Sequence, residues 1–505
     1  MKNMLYTFIF AMLLSACSNP SNGITVPDED STSTDTWNDL TISSTQTMST
    51  PFVGNGPQWG GYDNVKAWTG SASLSEGDWT KLFTRMDYMR PGLIRIMTAP
   101  GWNYLKNNVY NPDVSKDILF KILDYCQAKG VSVMYGEWGQ PALTGNKVDT
   151  AWLTKSVRFL DYMIRTKAYT CLKFYNMCNE PAGNWSSING DYALWQSTYE
   201  EIMKRLEAKG LNSKIAVIAP DVAVWDLGLT SWIIRANSFF GDKIGAYDIH
   251  TYPTDVQVKG TDYGTMIAGY RAAAPKDKAM ITGELGFKYS SESTLGVENL
   301  KRIANDPYAS DDCNMMVYDA FYGVDMADAV IQNMDAGYNG VILWDLDDAM
   351  YNVSGKKLKR WGFWNILGEE AFGGIADEAI RPWFYPMSLM CRYFPQGSTI
   401  FKANLPNKKG IRAIGGMKDG KYTIAVSNSY TITYTVNLKM ALGPNLTNAS
   451  CFSYIASESG PNFEGTIDAN GFPKPYVVQN IDFSKNKLFK VTLKPRSFLL
   501  ITNME

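Results

Sequence analysis

Short, continuously apolar runs recur along the first two-thirds of the chain: LIRIM (93–97), VSVMYGEW (131–138), CLKFYNMCNE (171–180), KIAVIAP (214–220), IGAYDIH (244–250), KAMITGE (278–284) and YNGVILWD (338–345). Runs of this kind, without apolar/polar alternation, are strands buried on both faces. Between them the period changes to that of a helix. Trp79, Leu82, Phe83, Met86 and Met89 follow the capping pattern Ser75-x-x-Asp78, and Ile118, Leu119, Ile122, Leu123 and Cys126 end at Gly130. With an eighth strand near Pro51 to Tyr62, the repeat predicts a parallel sheet covered by helices. Eight strand-helix units favour a closed (β/α)8 TIM barrel over an open doubly wound sheet, because GNGPQWGGYDN has no phosphate-cradling glycine spacing.

Past residue 350 the texture changes. RPWFYPMSLMCRYF supplies a last barrel helix, and from about Ile400 the pattern alternates: IRAIGG, a Lys418-Asp419-Gly420 hairpin turn, KYTIAVSNS, TITYTVNLKM, CFSYIAS and KLFKVTLKPRSFLLIT. These segments predict a C-terminal antiparallel β-sandwich. The expected organisation is a signal at 1–17, a polar tether at 18–47, the barrel at 48–390 and the sandwich at 391–505.

The signal rests on a basic start, MKN, an apolar stretch too short to span a bilayer, and Leu14-Ser15-Ala16-Cys17, which matches a bacterial lipobox. Cys17 is the expected lipidation site, followed by a Ser/Thr/Asn/Asp-rich tether. The expectation is a bacterial outer-membrane lipoprotein at the cell surface or facing the periplasm, touching the membrane only through its N-terminal lipid.

Composition narrows the partner. A net charge of −2 offers no basic face for nucleic acid, whereas 15 Trp and 29 Tyr suit the apolar faces and hydroxyl rims of sugars. Cys126, Cys171, Cys178, Cys313, Cys391 and Cys451 sit in apolar contexts without a Cys-x-x-Cys pair, so they read as small buried hydrophobes. His250 is the only histidine, so neither a metal site nor a cofactor is expected.

Polar residues collect at the strand ends: Arg95, Glu137, Asn179, Glu180, His250, Glu284 and Trp344, where a barrel keeps its active site. Glu180 breaks the apolar pattern in NMCNEPAGNW, and Glu284 ends KAMITGELGF between Gly283 and Gly286. Two strand-end glutamates suggest paired-carboxylate chemistry. The ordered combination of Asn179-Glu180-Pro181 on the fourth strand, His250-Thr251-Tyr252 on the sixth, Glu284 on the seventh and Trp344 on the eighth resembles the clan A glycoside hydrolases. Families five, thirty and thirty-nine are the ones it is similar to, and the last two carry an appended sandwich. The resemblance implies that Glu180 is the general acid/base and Glu284 the nucleophile. It further implies that Asn179 binds the sugar 2-hydroxyl, Arg95 and Tyr252 support the nucleophile, and Trp344 lies under the sugar. Trp138 and His250 complete the expected substrate-binding set, with Trp185 and Trp225 as further subsite candidates.

The chemistry follows from the bond. Glycoside cleavage passes through an oxocarbenium-like state, which calls for a proton donor at the leaving oxygen and a carboxylate at the anomeric carbon; carboxyls about 5 Å apart give retention. Arg95 is expected to keep Glu284 ionised, and apolar and aromatic neighbours to keep Glu180 protonated. Glu137 is a substrate contact or a structural ion-pair member, and Asp345, Asp347 and Asp348 a polar loop rimming the cleft. Core packing competes with a sugar role at Trp59 and Trp68. The reading is a monomeric retaining glycoside hydrolase acting on β-linked carbohydrate; the competing class is a non-catalytic surface glycan-binding lipoprotein on a glycosidase-like barrel.

Overall fold

The computed structural model describes residues 38–63, 73–138, 143–145, 147–353, 357–441 and 443–505. The lipobox Cys17, most of the expected tether and Trp68 lie outside the described residues. Among the described residues no helix is long and apolar enough to cross a membrane.

The expected barrel forms. Eight parallel strands, Gly54–Pro57, Leu93–Thr98, Ser132–Glu137, Leu172–Asn176, Ala216–Val224, Ile244–Thr251, Ala279–Leu285 and Gly340–Leu343, follow one another round the sheet. Closure comes from a bridge between Gln58 and Arg95, where Trp59 N–H donates to the Arg95 carbonyl at 2.8 Å. The interior is filled, not hollow: Leu93, Met134, Ile218, Ala246, Ile281 and Ile342 form one buried cluster across the barrel axis. Above that apolar floor, at the carboxyl ends of the strands, buried polar groups meet.

The second unit is a ten-stranded sheet. Residues from strands at opposite ends of its order, Val491 and Leu438 on one side, Cys451 and Ile501 on the other, pack into one core, so the sheet faces itself as a sandwich. The hairpin at Asp419-Gly420 has both turn residues at positive φ, 51° and 74°, which suits the twist of the flanking strands Ile411–Lys418 and Lys421–Asn428.

Two boundaries differ from expectation. The tether does not extend to residue 47: Asp39–Ser49 is a strand inside the sandwich, antiparallel to Thr399–Asn404 and parallel to Tyr434–Met440. Its Ser/Thr-rich composition hid it, because backbone pairing on both edges holds it in place while only Leu40 and Ile42 provide large core side chains. The sandwich is therefore built from both chain ends and is mixed at that one pair. The boundary at 390/391 falls inside the helix Phe384–Arg392, whose residues Phe384 to Cys391 are all buried, which makes it a connector embedded in the core.

Helix Ala320–Asp335 lies against both units, buried from Ala320 to Met334. The Tyr454 hydroxyl of the sandwich donates to the Ala320 carbonyl at 2.7 Å, and the side of Gly323 faces Trp383 and Tyr454. All six described cysteines are buried and unpaired, as their apolar contexts predict.

Candidate active site

Each site residue is delivered by a barrel strand or the turn that follows it. Arg95 rises from the middle of the second barrel strand, Asn179 and Glu180 follow the fourth, Asp221 lies in the fifth, His250 ends the sixth opposite Glu284 on the seventh, and Trp344 follows the eighth. Glu180 and Asp221 both sit in the left-handed region, φ 48° and 60°, a conformation that costs energy for a non-glycine residue and turns their side chains toward the axis. The Glu180 N–H is bound by the Asp221 carboxylate at 3.1 Å, so each of these turns braces the other. Gly283 is what lets the sixth and seventh strands meet here: a Cβ would come within 2.9 Å of His250 Nε2.

The two glutamates face one another, with a carboxylate oxygen of each within 4.8 Å. Arg95 Nη1 donates to Glu284 Oε1 at 2.5 Å and its Nη2 to Asn179 Oδ1 at 2.8 Å, with Asp221 at 3.4 Å. The Tyr252 hydroxyl donates to the other Glu284 oxygen. His250 is fully buried, its Nε2 2.8 Å from Asp221 and its Nδ1 3.0 Å from Glu180 Oε1 and 3.5 Å from Glu284. The last contact of Glu180 is the Trp185 indole, which donates to Oε2 at 2.6 Å.

Protonation departs from expectation. Burial pushes Glu180 up, but the hydrogen bond and charge of His250 and the Trp185 N–H outweigh it and hold Glu180 below its ordinary value. Burial raises Glu284, and His250 and Arg95 pull it back only in part. His250 itself is lowered by burial and raised further by Asp221 and Glu284, so it stays charged. Asp221 is held well down by His250 and Arg95 against its burial. At rest the proton expected on Glu180 sits on His250, because a buried imidazole with carboxylates on both sides is the better base.

Arg95 and His250, expected among the sugar contacts, stand behind the carboxylates with no exposed surface. Asn179 accepts from Arg95, Tyr252 donates to Glu284, and the Trp138 ring lies beside the Arg95 guanidinium at 5.9 Å. Trp344 stacks on Tyr351 at 5.4 Å, and Trp138 meets both edge-on at 6.1 and 5.9 Å, forming a three-ring wall near Glu284. Trp59 is core, edge-on to Phe83 and Tyr125. Asp345, Asp347 and Asp348 do not rim the cleft: all three are fully buried, because Arg360, Arg381, Tyr62 and Trp364 pull the loop inward. Among the described residues Glu137 has no ion-pair partner, and it is caged by the Tyr104 and Tyr175 hydroxyls at 2.8 and 3.1 Å.

Asp221, Tyr351 and Gln58 were missed. Asp221 had a readable signal, a lone carboxylate inside the apolar stretch IAPDVAV, but the strand was taken to end at Pro220 when it runs to Val224. Donor atoms of Glu180, His250 and Glu284, and of Asp221, Asp248 and His250, lie close enough to share a cation. Both sets depend on His250, whose ring nitrogens are already engaged by Glu180 and Asp221, and Arg95 supplies positive charge to the same carboxylates.

No family model matches the chain, and no curated protein matches it. Solved structures do. The glycoside hydrolase family 30 subfamily 8 xylanase from Clostridium acetobutylicum is 14% identical, with a TM-score of 0.57 over 92% of this chain and 99% of that one. A family 39 β-xylosidase from Caulobacter crescentus is 10% identical, with a TM-score of 0.56 over 92% and 99%. An endo-β1,6-glucanase is 13% identical, with a TM-score of 0.59 over 92% and 94%. The fold is that of clan A glycoside hydrolases. The expected likeness to families thirty and thirty-nine is thus met in the whole architecture, barrel and sandwich together, and at these identities it speaks for the fold alone.

Proposed function

We propose that the protein is a retaining glycoside hydrolase that cleaves β-linked polysaccharide or oligosaccharide. The observation that carries this reading is the approach of the Glu180 and Glu284 carboxylates to within 4.8 Å at the carboxyl end of the barrel, near the roughly 5 Å that suits double displacement and short of the separation that accommodates an inverting water. Glu284 attacks the anomeric carbon while the bond to the leaving oxygen breaks and Glu180 gives that oxygen its proton. Water then attacks the glycosyl-Glu284 ester, Glu180 takes the water's proton, and Glu284 leaves as a carboxylate. Arg95 and Tyr252 hold Glu284 in line, and the Trp138, Trp344 and Tyr351 rings offer the sugar an apolar bed.

The printed activities of the β-xylosidase and the endo-β1,6-glucanase favour a β-linked substrate. The lipobox favours a lipoprotein anchored through Cys17, acting as a monomer at a bacterial outer membrane. The test is a panel of β-linked polysaccharides and oligosaccharides incubated with protein lacking residues 1–17, with the first-formed anomer followed by proton NMR. Release of the β-anomer supports the reading. Release of the α-anomer would exclude a Glu284 ester, and tight binding without product would make the chain a glycan-binding lipoprotein.

A further inference from the structure

In the free site both carboxylate oxygens of Glu180 are already engaged. Oε1 is paired with His250 and Oε2 with the Trp185 indole. His250 is sealed between Glu180 and Asp221 and cannot withdraw. Trp185 can: it is 57% exposed, five residues along the loop from Glu180, with its ring lying against Gly183, where a Cβ would come 2.3 Å from an indole carbon. Its other neighbour is Trp225, edge-on at 5.8 Å and 54% exposed. Beyond Trp225 opens a cavity of about 360 Å³ lined by Asp226, Leu227, Gln257, Thr265 and Met266. Two exposed rings leading to a pocket of mixed apolar and hydroxyl-binding groups suit a pyranose, and they lie on the Glu180 side of the cleft, the side on which the leaving group departs.

Resting on the glycosidase reading above, we propose that Trp185 is a latch on Glu180, released when a sugar unit of the leaving group stacks on Trp185 and Trp225. Closed, the indole N–H holds Oε2 as a carboxylate oxygen. Open, with the indole gone and His250 left to hold the group down alone, Oε2 takes a proton from hydronium in the solvent, leaving water, and that proton passes to the glycosidic oxygen as its bond breaks; the water that cleaves the ester then gives its proton to Glu180. Trp185 is thus a positioning residue that ties acid catalysis to occupation of the leaving-group subsite. Among the described residues the other charged or titratable groups facing Glu180 are His250, Asp221, Glu284 and Tyr252.

The experiment compares pH profiles of wild type and Trp185→Phe, which keeps a stacking ring and removes only the N–H, on an oligosaccharide that fills the leaving side. In kcat/KM, which reads the free enzyme, the basic limb moves up by about one pH unit; in kcat, which reads the complex with the latch already open, it stays where it was. Gly183→Ala, which crowds the indole off its seat, reproduces the kcat/KM shift. Trp225→Ala raises KM about tenfold for the oligosaccharide and leaves that for an aryl glycoside unchanged. Equal movement of both limbs would reduce Trp185 to a fixed electrostatic neighbour, and no movement of either would remove the latch. A wild type that hydrolyses nothing would instead defeat the glycosidase reading and the latch with it.

Discussion

Two buried acid networks lie side by side at the carboxyl end of the barrel, and they are finished differently. After the eighth strand, Asp348 takes hydrogen bonds from the Trp361 and Gly362 amides at 3.0 and 2.7 Å and from both Arg360 and Arg381. Asp347 takes the Ala349 and Ile366 amides, the Tyr62 hydroxyl and the Trp364 indole. Every lone pair of Asp347 and Asp348 has a fixed protein donor, so these two carboxylates have nothing to offer a ligand, whereas neither oxygen of the neighbouring buried Asp345 has a hydrogen-bond partner among the described residues. Across strands four to seven, Glu180 and Glu284 confront each other instead, and one oxygen is held only by an indole on the surface. Acid content and burial do not separate the two. What does is whether the last hydrogen bond is sealed in the core or can be exchanged at the solvent edge.

The sharpest way to break the contrast is Glu284→Ala. With no carboxylate to form the ester, kcat on any hydrolysed substrate is expected to fall about 10^4-fold or more with far-ultraviolet circular dichroism unchanged. Turnover at wild-type rate would place the chemistry elsewhere. Next comes Glu180→Ala, expected to cost about 10^2 to 10^4-fold on native glycosides and much less on dinitrophenyl glycosides, whose leaving group needs no proton. Equal losses on both would count against the acid assignment. In the sealed network the damage is to folding: Asp348→Ala removes the carboxylate that Arg360 and Arg381 share, leaves them Asp306 and Asp377, and is expected to cost about 1–3 kcal/mol in urea denaturation, with kcat per folded molecule largely retained. A stable Asp348→Ala protein that has lost turnover would erase the distinction between the two networks.

These networks also mark how far the sequence could be read. Glu180 and Glu284 were visible because each ends an apolar run, and a carboxylate at the close of a buried strand has few other uses. Asp345, Asp347 and Asp348 have the same local appearance, yet their fate depends on Arg360 and Arg381 folding back from the following loop, a long-range contact no local pattern records. The strand Asp39–Ser49 was lost for a related reason, since its partners lie more than 350 residues away. The protonation order failed because burial alone was weighed at Glu180, while His250 and Trp185, brought in from other segments, decide it. Local periodicity carries the barrel and the sandwich; hydrogen bonds closed across the fold carry the rest.

Glu137 is the intermediate case and supplies the smallest test. It ends the third barrel strand as Glu284 ends the seventh, but it is fully buried among hydroxyls with no cation paired to it among the described residues, and burial, outweighing the Tyr104 and Tyr175 hydrogen bonds, lifts it to about 7. In the unfolded chain the same carboxyl ionises near its ordinary value of 4.5. Between those values the folded protein holds a proton that the unfolded chain has released, so stability is greatest below pH 4.5, declines as pH rises to about 7 and levels off above it. Glu137→Gln removes this titration while keeping an acceptor for the tyrosines. Denaturation midpoints followed from pH 4 to 8 should therefore fall less for the variant than for wild type, by up to roughly 3 kcal/mol across the window. Parallel curves would mean that Glu137 is ionised in the folded protein, which would move it from the sealed class of buried acids to the class that can act on a substrate.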